Sequence, residues 1–529
     1  MDSSTTKKLS NSDEQPGTEL SNLRKTDSGD IERQISPYAQ KLNAYTWFCS
    51  TFVVVGSLLY GIDSGIVSTT ISHDAFKSYF APFTSSIKGA VVSTFSGGAF
   101  FGVLFSGWAA DSWGRKRTIM FAAVWAVIAG IIQAASVHVG MLIAGRIIGG
   151  FAVGIMNMVI PVYNSEIAPT SKRGLITGLH GQFVGFGFAL ANWIGFGCSY
   201  ASNSFQWRFP LAFQCAPAII LLIGMPFLPY SPRWLLEKDR SEEAYSVLRK
   251  LHGEVNLVNP AYQEYFDQEF EKMQQQIRYE RVLKAGSMKN LIAKPSNRKR
   301  LLLSIAIQVF AQLSGINVVN YYQTDIYEGV GITGHTVTLL ASLYGMVGPA
   351  FNLICIFYVD RFGRRSALYI TGVAMAIDLA IVMGLTANYS GTDNKVGQGF
   401  AIAFVFLFSA IYSLGYNSIH YIYVPEIMNQ EVRAKGTAVA VICNVLVNIV
   451  FNQISPIAFS NVGFKYYGVF IALNCVGAIV VFFFFPETKG KSLEEINALF
   501  GEEVIVSRNE LVEMGKVDER DGTNAQHRE

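Results

Sequence analysis

Asp63, in Leu58-Leu-Tyr-Gly-Ile-Asp-Ser-Gly65, and Arg146, in Ala144-Gly-Arg-Ile-Ile148, stand as lone charges inside long apolar runs. A charge in hydrocarbon is costly unless it is paired or wet, so such residues mark ion pathways by default. Amides and phenols form a second set. Gln312, Ser314, Gly315 and Asn317 interrupt an otherwise apolar segment that also carries Tyr321 and Tyr322. Gln182 lies in another run; Asn444 and Asn448 lie in a third, four apart and so on one helix face. Amides and hydroxyls both donate and accept, which suits a neutral ligand rich in hydroxyls, with an aromatic face beside them. Asp378, inside a further run, is expected to be structural. His180 and His420 are expected to pack or to bond locally between helices. There is no H-E-x-x-H, no Walker lysine and no G-x-S-x-G, so no enzyme is indicated.

The elements that must position these residues follow from composition. Of 529 residues, 50% are hydrophobic and only 15% charged, against about a quarter charged in soluble proteins. Mean hydropathy is +0.30. Twelve runs have roughly the twenty apolar residues that cross a bilayer: 45–67, 88–110, 118–137, 141–162, 175–198, 208–228, 301–323, 336–359, 366–387, 399–424, 435–458 and 465–485. The expected fold class is an all-α membrane protein. Asp111-Ser-Trp-Gly-Arg-Lys-Arg117 returns as Asp360-Arg-Phe-Gly-Arg-Arg365, Glu166…Arg173 as Glu426…Arg433, and Pro229-Tyr-Ser-Pro-Arg-Trp234 as Pro486-Glu-Thr-Lys-Gly490. Each echo comes roughly 250–260 residues later, so the chain is a duplication.

The expected organisation is a disordered polar tail (1–43), six spans (44–229), a helical insert (230–299), six more spans (300–486) and a second tail (487–529). In the insert, Ser241 reads as the N-cap of a helix running to Leu251, and Pro260 to Leu283 as one or two more. Arg115, Lys116, Arg117, Lys172, Arg173, Arg361, Arg364, Arg365, Arg433 and Lys435 share one side; the positive-inside rule puts that side, the insert and both termini in the cytoplasm. Asn388-Tyr-Ser390 is a glycosylation sequon in an outside loop. The first forty residues are too polar for a signal peptide. Six scattered cysteines without a C-x-x-C indicate neither a metal site nor a disulfide framework. A net charge of +3 suggests no nucleic-acid partner.

These marks resemble the sugar porters of the major facilitator superfamily, the fungal branch above all. D-x-x-G-R-[KR]-[KR] occurs twice, with Gly145-Arg146, P-x-Y-x-x-E-I-A-P-x-x-x-R-G (161–174), P-x-S-P-R-W-L (229–235), Q-x-x-G-I-N-x-x-x-Y-Y (312–322) and P-E-T-K-G, all in order over about 45–500. The resemblance implies two six-helix bundles around a central sugar site, alternating access, and a cytoplasmic helical domain made by the insert. It implies that Asp63 takes a proton whose binding Arg146 tunes; a static ion pair is the alternative. It implies sugar contacts from Gln182, Gln312, Asn317 and Asn444, with Tyr322 and Tyr421 supplying aromatic faces. It also implies a gate at the cytoplasmic end, acids of one half facing arginines of the other: Asp111, Arg115, Glu166, Arg173, Arg233, Asp360, Arg364, Glu426 and Arg433.

The departures bear on substrate. The family's paired glutamines read Ala311-Gln312, its span-eight asparagine aligns with Gly348, its span-ten tryptophan with Tyr421, and Tyr230 replaces a glutamate. Fewer polar contacts put a glucose preference in doubt. The expectation is a plasma-membrane importer of a sugar, a monosaccharide first, driven by a proton gradient, with no cofactor and no metal. Its partners are the sugar, the proton and the bilayer. A uniporter is the alternative within transport. A sugar sensor is the alternative outside it, disfavoured because sensors of this kind carry long tails; a drug exporter lies further off.

Overall fold

In a bilayer, every backbone polar group must be satisfied within its own segment or by protein, so apolar runs of this length become helices. The computed structural model describes residues 43–168, 173–253, 260–283, 288–429, 432–489, 491 and 493–501. The expected disordered tail, apart from Asn43, and most of the C-terminal tail lie outside the described residues. The first half contains α1 (Ala44–Val53), α2 (Val55–Thr70), a short α3 (Asp74–Tyr79), α4 (Ser85–Trp113), α5 (Arg115–Ala134), α6 (Val139–Ile167), α7 (Arg173–Ser199), α8 (Phe205–Phe213) and α9 (Cys215–Gly224). The insert contains α10 (Pro232–Glu237), α11 (Ser241–His252), α12 (Pro260–Leu283) and α13 (Met288–Ala293). The second half contains α14 (Pro295–Leu313), α15 (Ile316–Val330), α16 (His335–Phe362), α17 (Arg364–Tyr389), α18 (Lys395–Leu414), α19 (Tyr416–Ile427), α20 (Arg433–Val462) and α21 (Tyr467–Phe484), followed by α22 (Leu493–Leu499).

Among the described residues, ten helical segments are long and apolar enough to cross a membrane. One of them, Lys435–Phe484, carries two of the expected runs as α20 and α21, and α7 covers the run expected at 175–198. Each of the twelve expected runs therefore lies on helix. Two spans are broken where polar residues cluster. α14 and α15 are separated at Gly315, whose φ of +93° favours glycine and whose added Cβ would lie 2.9 Å from the Phe470 ring. α18 and α19 are separated at Gly415.

The described residues form two compact units. One joins the insert segment 229–282 to residues up to 51 and to 164–177. Its core is Trp234, Leu235, Leu236, Ala244, Leu248, Phe266, Phe270 and Ile277. Thr46 Oγ1 donates to the Leu251 carbonyl at 2.6 Å, capping α11's end. The α11 helix starts at Ser241 itself, with Arg240 at the N-cap and no side-chain cap. Asp239, at φ +60°, turns the chain, and Arg240 pairs with Glu243 instead. Pro260–Leu283 is one helix.

The other unit holds the rest of the spans. In its first half, α4 and α6 approach through glycines from both sides: a Cβ on Gly98 would sit 2.1 Å from the Ile147 carbonyl oxygen, and one on Gly150 2.0 Å from that of Phe95. Small residues allow this backbone contact, which replaces a hydrophobic driving force that lipid does not supply. The duplication is also visible in torsions. Gly114, between α4 and α5, has φ 86° and ψ 154°; Gly363, between α16 and α17, has φ 84° and ψ 155°. Each turns the chain at the same place in the repeated D-x-x-G-R motif.

Candidate functional site

Asp63 on α2 and Arg146 on α6 meet in the interior. Arg146 Nη1 donates to both carboxylate oxygens at 2.8 Å, and Nε donates to the Val91 carbonyl of α4 at 3.1 Å. The guanidinium lies 4.4 Å from the centre of the Phe95 ring. The two residues are 1% and 0% exposed. Among the described residues, Arg146 Nη2 has no hydrogen-bond acceptor. A buried pair of this kind holds together because breaking it leaves a desolvated charge; it stays breakable if a proton neutralises the acid.

The amides form a ladder between α14, α15 and α20. Gln312 Nε2 donates to Asn444 Oδ1 at 2.9 Å, and Gln312 Oε1 accepts from Asn317 Nδ2 at 2.5 Å and from Asn448 Nδ2 at 3.1 Å. Asn444 Nδ2 donates to Gln308 Oε1 at 2.9 Å. Ser96 on α4 donates to Asn448 Oδ1 at 3.1 Å, so the ladder ends on the first half of the chain. Asn452 Nδ2 donates to both Ser96 Oγ and Asn448 Oδ1. The spacing 444, 448, 452 continues one helix face, and Gln308 stands four residues before Gln312 on one face of α14; the sequence reading stopped at 448 and at Gln312, and Ser96 lies in a run of small residues.

Gln182 on α7 stands in a second cluster. Its Nε2 donates to the Pro349 carbonyl at 3.2 Å, and its Oε1 accepts from Asn352 Nδ2 at 3.3 Å. Asn352 Oδ1 accepts from Ser418 Oγ at 2.7 Å and Asn417 Nδ2 at 3.2 Å. Asn352 lies one helical turn after Gly348, where the resemblance expects an asparagine, on the same face of α16. Position-by-position matching could not find it. Asn352 and Gln182 belong to opposite halves and are each 5% exposed.

Tyr322 is fully buried and its hydroxyl donates to the Asn452 carbonyl at 2.7 Å. Tyr421, on α19, is 55% exposed, and its ring centre lies 3.9 Å from that of His420. His420 Nδ1 bonds the Tyr416 carbonyl. His180 bridges Ser57 on α2 (2.6 Å) and Asn157 on α6 (2.9 Å). Both histidines make the local bonds expected of them. Asp378 is 2% exposed, and among the described residues neither carboxyl oxygen has a hydrogen-bond partner.

At the end of the bundle that carries Arg115, here the basic end, ion pairs within each half are seen among the described residues. Arg115 pairs with Asp111 at 3.5 Å, and Arg364 with Glu426 at 3.2 Å. In the insert, Arg233 pairs with Glu237 at 3.8 Å. Glu166 is half-buried near the end of α6, and Arg433 donates to the Met428 carbonyl at 3.2 Å. The side chains of Arg173 and Asp360 lie outside the described residues. Asn388 is exposed in the last turn of α17, at the opposite end.

Glu487 organises the second half's basic end. Its Oε1 accepts from the Arg364 backbone N–H at 2.8 Å and its Oε2 from that of Arg365 at 3.1 Å. The carboxylate thus sits on the N-terminus of α17, where both the free N–H groups and the helix dipole favour an anion. Thr488 and Lys489 N–H groups also donate to Oε1. At the matching place in the first half stands Tyr230, stacked on Trp234 with ring centres 5.6 Å apart. There Lys116 Nζ ties the motif instead, donating to the Pro226 and Leu228 carbonyls at 2.7 and 2.8 Å. Glu487→Ala is expected to cost about 1–3 kcal/mol through its charge-assisted bonds, seen as a melting temperature lowered by several degrees in the purified protein. Glu487→Gln, which keeps one acceptor, should fall between; an unchanged melting temperature for Glu487→Ala would contradict the assignment.

The family model for sugar (and other) transporters matches residues 49–500. The MFS-type transporter criB of Aspergillus cristatus is 36% identical over 480 residues, covering 90% of this chain and 98% of that protein. A high-affinity glucose transporter of Kluyveromyces lactis is 31% identical over 491 residues, covering 89% and 88%. Among solved structures, the inward-open xylose transporter XylE from E. coli aligns with a TM-score of 0.71 at 25% identity, over 86% of this chain and 99% of that one.

Proposed function

The chain belongs to the sugar (and other) transporter family, a multi-pass membrane protein, and from that premise we propose that it imports a monosaccharide across the plasma membrane with a proton. The observation that carries the reading is the buried Asp63–Arg146 pair, chelated through Nη1, in a bundle that also buries a ladder of amides. An acid held by a single guanidinium has two states, paired and protonated. A proton that neutralises Asp63 frees Arg146, whose Nη2 already lacks an acceptor. Amides bind hydroxyls without needing a charged cargo.

In this reading, Gln312, Asn317, Asn444 and Gln182 bind the sugar, joined by Asn352, with Tyr421 and Tyr322 on the aromatic side. Residues 44–229 and 300–486 are the two bundles, 230–299 is the cytoplasmic domain, and 1–43 and 487–529 are cytoplasmic tails. Asp111, Arg115, Glu166, Arg173, Arg233, Asp360, Arg364, Glu426 and Arg433 form the cytoplasmic gate, and Asn388 is glycosylated outside. No cofactor takes part; the gradient of protons is the energy source. The placement of Asn352 one turn from the family's asparagine shifts a hydroxyl partner along the path, which favours a sugar other than glucose.

The test is uptake by transporter-deficient cells of labelled pentoses, hexoses, disaccharides and sugar acids, with external pH recorded. Uptake of one class with alkalinisation of the medium is the expected result. Uptake without alkalinisation would make the protein a uniporter and the Asp63–Arg146 pair a brace. No uptake by protein shown to be at the surface would move the reading to a sensor or a non-sugar cargo.

A further inference from the structure

The end of the bundle opposite Arg115 carries charges that the sequence reading left unused. Lys88, in the first turn of α4, donates from Nζ to both carboxylate oxygens of Asp325 on α15. Lys77, on α3, pairs with Glu328 on α15 at 3.4 Å. Asp325 and Glu328 are three apart and so share a helix face. The charges are sorted: both lysines come from the first half of the chain and both acids from the second. The side chains of the first pair are 13% and 28% exposed, those of the second 37% and 40%. Neutral contacts between the halves flank them. Gln323 Nε2 donates to Ser68 Oγ at 2.9 Å and to Asn192 Oδ1 at 3.1 Å, and Ser199 Oγ meets His335 Nδ1 at 2.9 Å.

We propose that Lys88–Asp325 and Lys77–Glu328 are an outer latch that holds the two halves together at this end and sets how much of the protein is closed there. Both acids stand on α15, the segment set apart from α14 by the left-handed Gly315 and bent at Tyr322, which leaves helical torsions (φ −116°, ψ 19°). An acid-bearing segment with a hinge at its base is free to swing as a unit, and a few residues that absorb the torsion change suffice for that. The sheltered pair does most of the holding, because partial burial limits solvent screening; the exposed pair adds less. The inference rests on alternating access in this family and on nothing about the cargo.

The test uses the full chain, purified, in a background where the six cysteines are replaced and Ser199→Cys reports opening. Ser199 is 7% exposed and lies in the contact between halves, so a maleimide reaches it when that end separates. Asp325→Asn is expected to raise the labelling rate on the order of tenfold, within the range of ordinary conformational couplings. Glu328→Gln should give a smaller rise. Lys88→Asp with Asp325→Lys should return the rate toward that of the parent, and high salt should speed labelling of the parent. A monodisperse Asp325→Asn protein labelling at the parental rate, or a charge swap that labels as fast as the single variant, would overturn the latch. No sugar enters this assay, so failure of the latch and failure of the sugar reading are separate outcomes.

Discussion

Asp63→Asn is expected to abolish proton-driven accumulation while leaving exchange of sugar across the membrane. Asparagine has nearly the shape of aspartate and keeps an oxygen to accept from Arg146, so the contact between α2 and α6 survives in part. It cannot take up a proton and release the arginine. A one-unit pH gradient is worth about 1.4 kcal/mol per proton, enough for roughly tenfold accumulation at one proton per sugar. The variant should therefore equilibrate its substrate at a ratio near unity under a gradient that drives the parent well above it. Counterflow of labelled against unlabelled sugar should persist. Asp63→Ala is a different experiment. It leaves a desolvated guanidinium with, among the described residues, the Val91 carbonyl and the Phe95 ring as partners, a loss of about 3–5 kcal/mol for a broken buried pair, and should show as poor yield. Undiminished accumulation by a well-expressed Asp63→Asn protein would remove the coupling role.

The extent of what the sequence revealed follows the physics of each signal. Spans are legible because a bilayer demands about twenty apolar residues and nothing else satisfies it. The duplication is legible because the D-x-x-G-R turn needs a glycine, and Gly114 and Gly363 do share one backbone conformation. Asp63 and Arg146 announce themselves as lone charges, and in the structure they pair. Asn352 escaped because alignment fixes a position, whereas a helix face offers the same direction again one turn on. Lys88, Asp325, Lys77 and Glu328 escaped for a different reason. They sit near span ends, where a charge is unremarkable, and their meaning lies in a pairing across more than 230 residues of chain. At the basic end, charge type and helix-end position were legible, while the partners Asp111 and Glu426 come only with the structure. Arg115 and Arg364 pair within their own halves.

Gln312→Ala is expected to weaken sugar binding by roughly 10–100-fold, the effect of one or two hydrogen bonds at about 1–3 kcal/mol with partners left unmet. Gln312 is the one residue of the ladder that both donates to Asn444 and accepts from Asn317 and Asn448. It aligns three amides; with sugar present, the same oxygen and nitrogen can face two hydroxyls. Its loss should spare the fold better than its affinity, because Asn444 keeps Gln308 and Asn448 keeps Ser96. Half-maximal uptake concentration should rise while surface protein stays near parental levels. Gln312→Glu sharpens the test. It retains the acceptor but not the donor, so Asn317 and Asn448 stay satisfied while the bond to Asn444 Oδ1 becomes an oxygen–oxygen contact. If the donor is what the sugar needs, both variants lose affinity alike; if Gln312 only orders Asn317 and Asn448, the glutamate variant keeps most of it. Unchanged affinity in both would place the sugar elsewhere, with the Gln182–Asn352 cluster as the remaining polar station between the halves.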